Sequence, residues 1–388
     1  MLIFALILSL YLGINVSYYA LFSLAGLFYR RNKSQIPDKI HKIAILIPAY
    51  KEDQVICDTV ANVLQQNYPR EMFEVVVIAD SLQAKTLEAL KSYPARILEV
   101  FFEKSTKAKA LNKAMELLPA GFDLVLILDA DNHLEADFLQ KINIAYSEGY
   151  LVIQAHRTAK NLNTRFARLD AVSEEINNHI FRKGHQVLGL SSALIGSGMA
   201  LEYQLHKNYL AQIQALGGFD KELELRLLKD GVFIKYLQEA WVYDEKVQNP
   251  EVFERQRTRW IAAQIRYGMK YFLPAFKELI FKGNIDYFNK ALQFVLLPRL
   301  ILLGLLGVLA VLSPWLGYYW MGIWFTLFLV NILTLFIGIP LRLLNKDIFI
   351  SLLSLPLAFY KMVLSTLKFS KANKSFLHTP HSSLNTHK

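Results

Sequence analysis

Two apolar regions enclose a central region in which short apolar runs alternate with amphipathic ones. The central apolar runs are rich in β-branched residues, which is typical of buried strands. They predict strands at residues 43–47, 73–79, 97–101 and 124–128. The amphipathic runs predict helices at residues 53–66, 86–91, 107–117 and 136–147. This alternation indicates an α/β domain over residues 42–250, with a mostly parallel sheet and flanking helices.

The N-terminal apolar region, residues 1–29, is long enough for a membrane-spanning helix, which needs about 20 residues. Arg30, Arg31 and Lys33 follow it, whereas a cleavable signal peptide carries its positive charge before the apolar run. The order therefore predicts an uncleaved helix with its N-terminus outside the cell. By the positive-inside rule, the domain that follows lies in the cytoplasm.

The C-terminal third predicts two further spans, at residues 292–312 and 318–340. Before them, residues 251–285 mix aromatic and basic side chains at helical spacing, which favours helices in the membrane interface over an ordinary amphipathic core helix. These regions together predict an integral protein, of the bacterial inner (cell) membrane.

The last apolar segment, residues 348–369, is long enough to span a membrane, but lysines follow it. The positive-inside rule therefore favours an interfacial or re-entrant helix. Residues 370–388 predict a polar tail. Within the tail, residues 376–381 are interpreted as disordered, with a mobile lid over the nucleotide as the alternative.

The charge balance is basic, with 43 Lys and Arg against 33 Asp and Glu, a net charge of +10. Because much of this charge flanks apolar segments, it indicates contact with anionic lipid headgroups rather than with nucleic acid. Cys57 is the single cysteine, which excludes an internal disulfide and a multi-cysteine metal site. No G-x-G-x-x-G follows a predicted strand, which argues against a dinucleotide site.

Acidic residues follow two of the predicted strands: Asp80 after the second, and Asp129 and Asp131 after the fourth. The carboxyl ends of strands line the ligand crevice of an open α/β sheet. Two carboxylates separated by one residue suit Mg²⁺ or Mn²⁺ bridging a diphosphate. Taken alone, each aspartate is equally well interpreted as a turn or cap residue.

Other candidate residues are dispersed along the chain. Lys107 opens a predicted helix, where a lysine could meet phosphate oxygens with the help of the helix dipole; a solvated charge is the usual alternative. Asp220 follows a Gly-Gly-Phe turn, as a general base or a helix cap. Gln256 and Trp260 are four residues apart and share a helix face.

The same helix adds two arginines, Arg257 and Arg259, between Gln256 and Trp260. Arginine binds diphosphate oxygens in a bidentate manner, and tryptophan offers an apolar floor for a sugar ring. Gln-Arg-x-Arg-Trp is the most specific short string in the chain.

In this order the motifs resemble those of processive, membrane-integrated family 2 glycosyltransferases, such as cellulose, chitin and hyaluronan synthases. The resemblance covers nearly the whole chain from Ile43 onward. It rests on five pieces, which are Pro48-Ala49-Tyr50-Lys51-Glu52, Asp80, Asp129-x-Asp131, Asp220 with Glu-Leu-x-Leu-Arg behind it, and Gln256-x-x-Arg259-Trp260. Two positions depart from the family pattern: Phe219 stands where many members have Glu, and Lys109 where Gly is usual.

The resemblance implies a GT-A fold and an inverting transfer with Asp220 as general base. Donor nucleotide binding would fall to Asp80, Asp129, Glu52 and Lys107, and metal binding to Asp131 and Asp129. The diphosphate and acceptor would be held by Gln256, Arg257, Arg259, Trp260 and Gln154.

The predicted activity is transfer of a hexosyl or N-acetylhexosaminyl group from a nucleotide sugar, first of all a UDP-sugar, to a growing β-linked polysaccharide. One alternative is a single transfer to a lipid or short glycan acceptor. A second alternative, of another class, is a non-catalytic subunit of a polysaccharide synthesis or export complex. A polymer-forming enzyme with so few spans would need a second copy or a partner export subunit to complete a channel.

Overall fold

A computed structural model of the chain describes residues 2–31, 37, 39–213 and 217–372. Most of the predicted polar tail lies outside these residues, from position 373 onward, and so does the stretch 376–381. The described part contains one long apolar helix, a sheet domain and a final helical region.

Helices account for most of the described chain outside the sheet. They are α1 (Leu2–Gly26), α2 (Ile56–Val63), α3 (Ala84–Leu90), α4 (Lys107–Leu117), α5 (Phe138–Ser147), α6 (Arg165–Asn178), α7 (His185–Val187), α8 (Tyr203–Leu210), α9 (Phe219–Lys229), α10 (Pro250–Lys282), α11 (Ile285–Gln293), α12 (Arg299–Leu312), α13 (Tyr318–Ile337), α14 (Lys346–Leu352) and α15 (Leu355–Ala372). A π-helical segment, His179–Gly184, joins α6 to α7. Short 3₁₀ helices lie at Arg70–Met72, Ser313–Leu316 and Leu341–Leu343.

A mixed sheet forms the centre of the molecule. Its strands are β1 (Ile43–Tyr50), β2 (Phe73–Asp80), β3 (Arg96–Val100), β4 (Leu124–Ile127), β5 (His133–Leu134), β6 (Val152–Ala159), β7 (Met199–Glu202) and β8 (Ile234–Asp244). They lie side by side in the order β3-β2-β1-β4-β7-β6-β8-β5. Strands β3, β2, β1 and β4 are parallel, and so are β6 and β8. Strand β7 is antiparallel to both its neighbours, and β5 is antiparallel to β8.

The parallel half of the sheet separates two apolar layers. Successive side chains of a strand point to opposite faces, so Ala44 and Leu46 of β1 pack in one layer, with α4, α8 and α9. Ile43 and Ile45 pack in the other, with α2 and α5. All four predicted strands are present as β1–β4. Strands β1, β2 and β4 are buried on both faces, which requires the continuous apolar runs that marked them in the sequence. Strand β3 lies at the edge of the sheet and is partly exposed.

In the part of the chain that the structure describes, two helices are each long and apolar enough to cross a membrane, Ile3–Gly26 and Tyr318–Ile337. They correspond to the predicted spans 1–29 and 318–340; that they cross a membrane stays a prediction. The predicted span 292–312 is shortened, because residues 294–298 are not helical and α12 begins only after Pro298. The 14 residues of α12 extend over about 21 Å, less than the roughly 30 Å of a bilayer core.

The segment predicted as an interfacial or re-entrant helix consists of α14 and α15, which meet at an angle of 49°. Helix α15 is held along α10 by Glu254, which accepts hydrogen bonds from Lys361 and Lys368 at 2.9 and 2.6 Å. Ser365 Oγ also donates to the Glu254 carbonyl at 3.0 Å. The Gln-Arg-x-Arg-Trp helix is therefore bound to the last described helix of the chain.

Candidate active site

One cavity of about 1670 Å³ extends from the carboxyl ends of the parallel strands to the helices that follow the sheet. Most small-molecule sites have roughly 300–1,000 Å³, so this cavity has room for two reactants. Of the predicted site residues, Gln154 alone does not line it. The others do, namely Glu52, Asp80, Lys107, Asp129, Asp131, Asp220, Gln256, Arg257, Arg259 and Trp260.

Asp80 closes β2 beside the end of β1, because Tyr50 and Asp80 are register partners in this parallel pair. Asp80 is 2% exposed and accepts a hydrogen bond from Ser81 Oγ at 3.0 Å. The residues after the two strand ends, Lys51 and Ser81, have φ of 57° and 60°. This left-handed conformation costs a non-glycine residue about 1–2 kcal/mol, and such strain clusters at functional sites. Both features favour a ligand site at this corner.

Asp129 and Lys107 form an ion pair in the polar end of the cavity. Lys107 begins α4, where Thr106 caps the helix by accepting a hydrogen bond from the Lys109 amide at 3.2 Å. Its Nζ also donates to the carbonyl oxygen of Gly196 at 2.7 Å. A diphosphate placed here would meet a lysine that is already oriented by two acceptors.

Asp131 lies deeper than Asp129 and is 4% exposed. It accepts hydrogen bonds from Asn132 Nδ2 at 3.2 Å and from the Glu245 amide at 3.4 Å. The same Asn132 amide group donates to Asp244 Oδ1 at 3.0 Å. Asp244, at the end of β8, is thus a further carboxylate of the site, and it was not predicted.

The chemistry of these oxygen donors fits a small divalent cation. Mg²⁺ and Mn²⁺ prefer oxygen ligands, and Mg²⁺ is commonly held by one or two carboxylates plus substrate phosphates. Asp129 and Asp131 supply two carboxylates. Among the described residues no group of three or more His, Cys, Asp or Glu could hold a metal. The remaining ligands would therefore be donor phosphates and water.

The prediction that Gln154 contacts the acceptor is not supported, because this residue is completely buried on β6. Its Nε2 donates to the carbonyl oxygens of Ser197 and Gly198 at 3.0 and 3.2 Å. Its Oε1 accepts from the Ile195 amide at 3.0 Å. Gln154 instead shapes the loop that presents the Gly196 carbonyl to the catalytic end of the cavity.

Asp220 lies in the first turn of α9, directly after the Gly-Gly-Phe turn. Gly218 has φ of 70°, and a Cβ there would come within 3.3 Å of Ala263, so the turn needs glycine. The Asp220 side chain is 15% exposed and lies 3.4 Å from Lys221 Nζ. Phe219, the departure from the family pattern, is 6% exposed and belongs to the core below the site.

Behind Asp220 lies a buried chain of charges. Glu224 is 1% exposed and lies 2.6 Å from Lys290 Nζ and 3.9 Å from Lys221 Nζ. Burial lowers the pKa of Lys290 to about 8, although the attraction of Glu224 opposes this change. Both lysines line the cavity, so they add positive charge on the side of the proposed base.

The residues of the predicted motif on α10 differ in their environment. Arg257 is 7% exposed and donates to Asp170 Oδ1 at 2.5 Å, while its guanidinium lies 4.1 Å from the centre of the Trp260 ring. It therefore positions Trp260, which is 44% exposed. Gln256 Oε1 is buried without a hydrogen-bond partner, which is typical of an atom that awaits a ligand.

A cluster of charged residues that lines the cavity was not predicted. Glu174, on α6, lies 2.9 Å from Arg157, 3.4 Å from Arg182 and 3.9 Å from Lys246. Burial alone would raise the pKa of Glu174, but these three cations together hold it well below its usual range. The only sequence signal is the Glu174-Glu175 doublet on an otherwise amphipathic helix, and its partners are far away in the chain.

Residues 41–263 match the family described as "Glycosyltransferase like family 2". The chain belongs to this family. The matched range contains the sheet, the strand-end carboxylates, Asp220 and the motif of α10. The predicted family 2 glycosyltransferase domain is therefore confirmed, although the match does not distinguish processive synthases from other members.

Two curated relatives illustrate the range of the family. The chain is 24% identical over 270 residues to the "Probable glycosyltransferase YdaM" of Bacillus subtilis, covering 64% of this chain and 60% of the relative. It is also 24% identical over 270 residues to the "Beta-monoglucosyldiacylglycerol synthase" of a Nostoc species, covering 66% of this chain and 55% of the relative. The match thus spans little more than half the length of either protein.

Among solved structures, the fold is similar to that of the mannosyltransferase PcManGT from Pyrobaculum calidifontis, determined in complex with GDP-Man and Mn²⁺. The TM-score is 0.54 at 16% identity, with 86% of this chain and 97% of that chain covered. The likeness at this identity concerns the fold. It confirms the predicted GT-A fold with flanking helices.

Proposed function

We propose that this enzyme is an inverting glycosyltransferase that moves a sugar from a nucleotide sugar, first of all a UDP-sugar, to an acceptor hydroxyl at a membrane surface. The observation that carries the proposal is the convergence of Asp80, Asp129, Asp131 and Asp220 on one cavity. They come from three separate places in the sequence, and Asp80, Asp129 and Asp131 lie at or just after the carboxyl ends of parallel strands.

The donor would bind across the strand ends. Asp80 and Glu52 offer carboxylates to the hydroxyl and amide groups of a nucleoside, and Lys107 and Arg259 offer cations to its diphosphate. Asp129 and Asp131 would hold Mg²⁺ or Mn²⁺. When bound, such an ion neutralises the charge that develops on the leaving diphosphate.

Transfer needs a base and no enzyme nucleophile. Asp220 takes the proton of the acceptor hydroxyl, whose oxygen forms a bond to the anomeric carbon. The bond from that carbon to the diphosphate oxygen breaks on the opposite face, so the configuration inverts. Trp260 would support a sugar ring, and Gln256 Oε1 would accept a hydrogen bond from it.

Two alternatives to this reading concern the acceptor and the role of the chain. The sequence favours a growing polysaccharide, made with a second copy or an export subunit, and a single transfer is the alternative. A non-catalytic subunit is disfavoured, because all four carboxylates face the cavity. We further propose an inner-membrane location with α1 as an anchor and the sheet domain in the cytoplasm.

The proposal is tested by incubating membranes that contain the chain with a panel of labelled nucleotide sugars and Mg²⁺ or Mn²⁺. We expect one donor to yield labelled product, with free nucleoside diphosphate released in equal amount. The Asp131→Asn variant serves as a control for other enzymes in the membranes. Absence of any product above that control, across the whole panel, would refute the proposed activity.

A further inference from the structure

The cavity continues beyond the catalytic residues into a region between α12, α13 and α15. We call this region the apolar arm. Its wall includes Leu303, Val308 and Val311 of α12, Ile332 and Leu335 of α13, and Phe359 of α15.

The described wall of the apolar arm is built from apolar residues. Among the described residues that follow Arg299, every one that lines the cavity is apolar. A sugar polymer carries several hydroxyl groups on each unit, and such walls would remove their water without replacing its hydrogen bonds. A hydrocarbon chain has no hydrogen bonds to lose and gains from leaving water.

Close packing of helices forms the wall of the arm. Gly304 of α12 faces Phe359 of α15 so closely that a Cβ would come within 2.2 Å of its ring. Leu352 and Leu355, on either side of the 49° bend between α14 and α15, belong to the same wall. This described wall favours a hydrocarbon chain over a sugar ring with its hydroxyl groups.

The outer part of the arm reaches the apolar surface of the molecule. Val311 and Ile332 line the cavity and are still 68% and 39% exposed. Ile332 belongs to α13, which is long and apolar enough to cross a membrane. A chain lying in the bilayer could therefore enter from the side, between α12 and α13.

We propose that the acceptor is a lipid alcohol, whose hydrocarbon chain lies in the apolar arm and whose hydroxyl group reaches Asp220. This inference rests on the function proposed above and names its acceptor. A base at Asp220 is useful only for an acceptor that must lose a proton, which favours an alcohol over a lipid phosphate that is already ionised. The alcohol loses its proton to Asp220, its oxygen bonds to the anomeric carbon, and the nucleoside diphosphate leaves.

The first experiment identifies the product. Membranes with the chain receive the labelled nucleotide sugar selected by the panel, and lipids are extracted with chloroform and methanol. We expect label in the organic phase, on a lipid bearing one sugar through a bond that survives mild acid. A water-phase ladder of polymer would overturn the inference while leaving the glycosyltransferase in place. So would an acid-labile lipid, which indicates a sugar phosphate.

The second experiment blocks the arm. Ile332→Trp fills the arm, whereas Leu333→Trp adds the same bulk at the next position, which is 61% exposed and does not line the cavity. We expect at least a tenfold loss of lipid product for Ile332→Trp and less than a twofold change for Leu333→Trp. Donor binding by both purified variants should match that of the unmodified protein.

The pair of variants separates the two claims. Equal lipid product from Ile332→Trp and Leu333→Trp would overturn the apolar arm as the acceptor site, although sugar transfer would still be observed. If both variants still bind the donor but the unmodified protein transfers no sugar, the proposed function is refuted, and the inference with it.

Discussion

The two ends of the cavity differ in the side chains that line them: one end is charged and the other is apolar. At the sheet, carboxylates face cations: Asp129 pairs with Lys107, and Asp220 lies beside Lys221. Between α12, α13 and α15 the described lining residues that follow Arg299 carry no charge. One end suits a molecule whose charges need partners, and the other suits a molecule that has none.

The boundary between the two ends is itself charged and fixed. Arg299 begins α12 and donates to the Ser173 carbonyl at 3.0 Å and to Asn177 Oδ1 at 2.7 Å. Arg257 is also buried, and its guanidinium lies against the Trp260 ring. In the proposed reaction, the charged donor and the apolar acceptor would meet at this boundary.

The largest effect on transfer is expected when a carboxylate is removed from the charged end of the cavity. Asp131→Ala should reduce transfer by about 1,000-fold or more, because a leaving diphosphate loses its neutralising ion. Donor binding should also lose its dependence on Mg²⁺ or Mn²⁺, measured by titration of each ion. Asp137→Asn is the matched control, since its side chain is 47% exposed and outside the cavity. Transfer by Asp131→Ala within tenfold of normal would contradict the assignment.

A second prediction concerns acid. Burial raises the pKa of Glu175, but His156 and Arg342 outweigh it and bring the value to about 2. Because the folded pKa is depressed, this carboxylate stabilises the fold above its ordinary pKa near 4.5, and the stabilisation is lost as pH falls towards about 2. This difference in pKa between the folded and unfolded states contributes on the order of 3 kcal/mol to the free energy of unfolding. Glu175→Gln should weaken the fall of Tm with decreasing pH below about 4.5, measured by thermal unfolding. The same fall of Tm in the variant and the unmodified protein would show that another group is responsible.

The boundary can be tested through its tryptophan. Trp260→Ala should lower kcat/KM by about tenfold, chiefly through the KM of the acceptor, because the apolar floor is lost. Steady-state kinetics with varied acceptor measures it. Trp315→Ala removes a tryptophan that is 78% exposed and lies outside the cavity, and it should leave the kinetics unchanged. A fall in kcat alone would place Trp260 in the chemical step instead.

The smallest effect is expected where the polar helix α10 holds the apolar helix α15. Glu254→Gln weakens the ion pairs to Lys361 and Lys368, and partly exposed pairs contribute about 1 kcal/mol or less. We expect transfer to fall two- to fivefold, and the dependence of activity on salt to decrease. If the activity of Glu254→Gln depends on salt as that of the unmodified protein does, the contact of Glu254 with Lys361 and Lys368 does not limit activity.

The first half of the sheet was predictable because one physical cause produces both the fold and the signal. Strands β1, β2 and β4 are buried on both faces, so they require continuous apolar runs. The aspartates at the ends of β2 and β4 must then meet at one edge of the sheet. Helix α4 also occurs at the predicted residues, since Thr106 supplies an ordinary N-cap.

The second half was not predictable for an equally physical reason. Strand β6 carries Gln154 and His156 inward, and these are satisfied only by partners distant in sequence, such as Ser197 and Glu175. Their pattern therefore does not resemble a buried strand. The apolar arm escaped as well, because an apolar helix that spans a membrane and one that lines a cavity have the same composition.

The most direct test of the central claim compares binding with chemistry in a single variant, Asp220→Asn. Donor affinity and transfer rate are measured on the same purified preparation, with the unmodified protein alongside. We expect donor affinity within about twofold and a transfer rate reduced by roughly 100- to 10,000-fold, the range contributed by a general base. A variant that transfers sugar at the normal rate would show that Asp220 is not the base, and that the carboxylates gathered at this cavity do not divide the work as proposed.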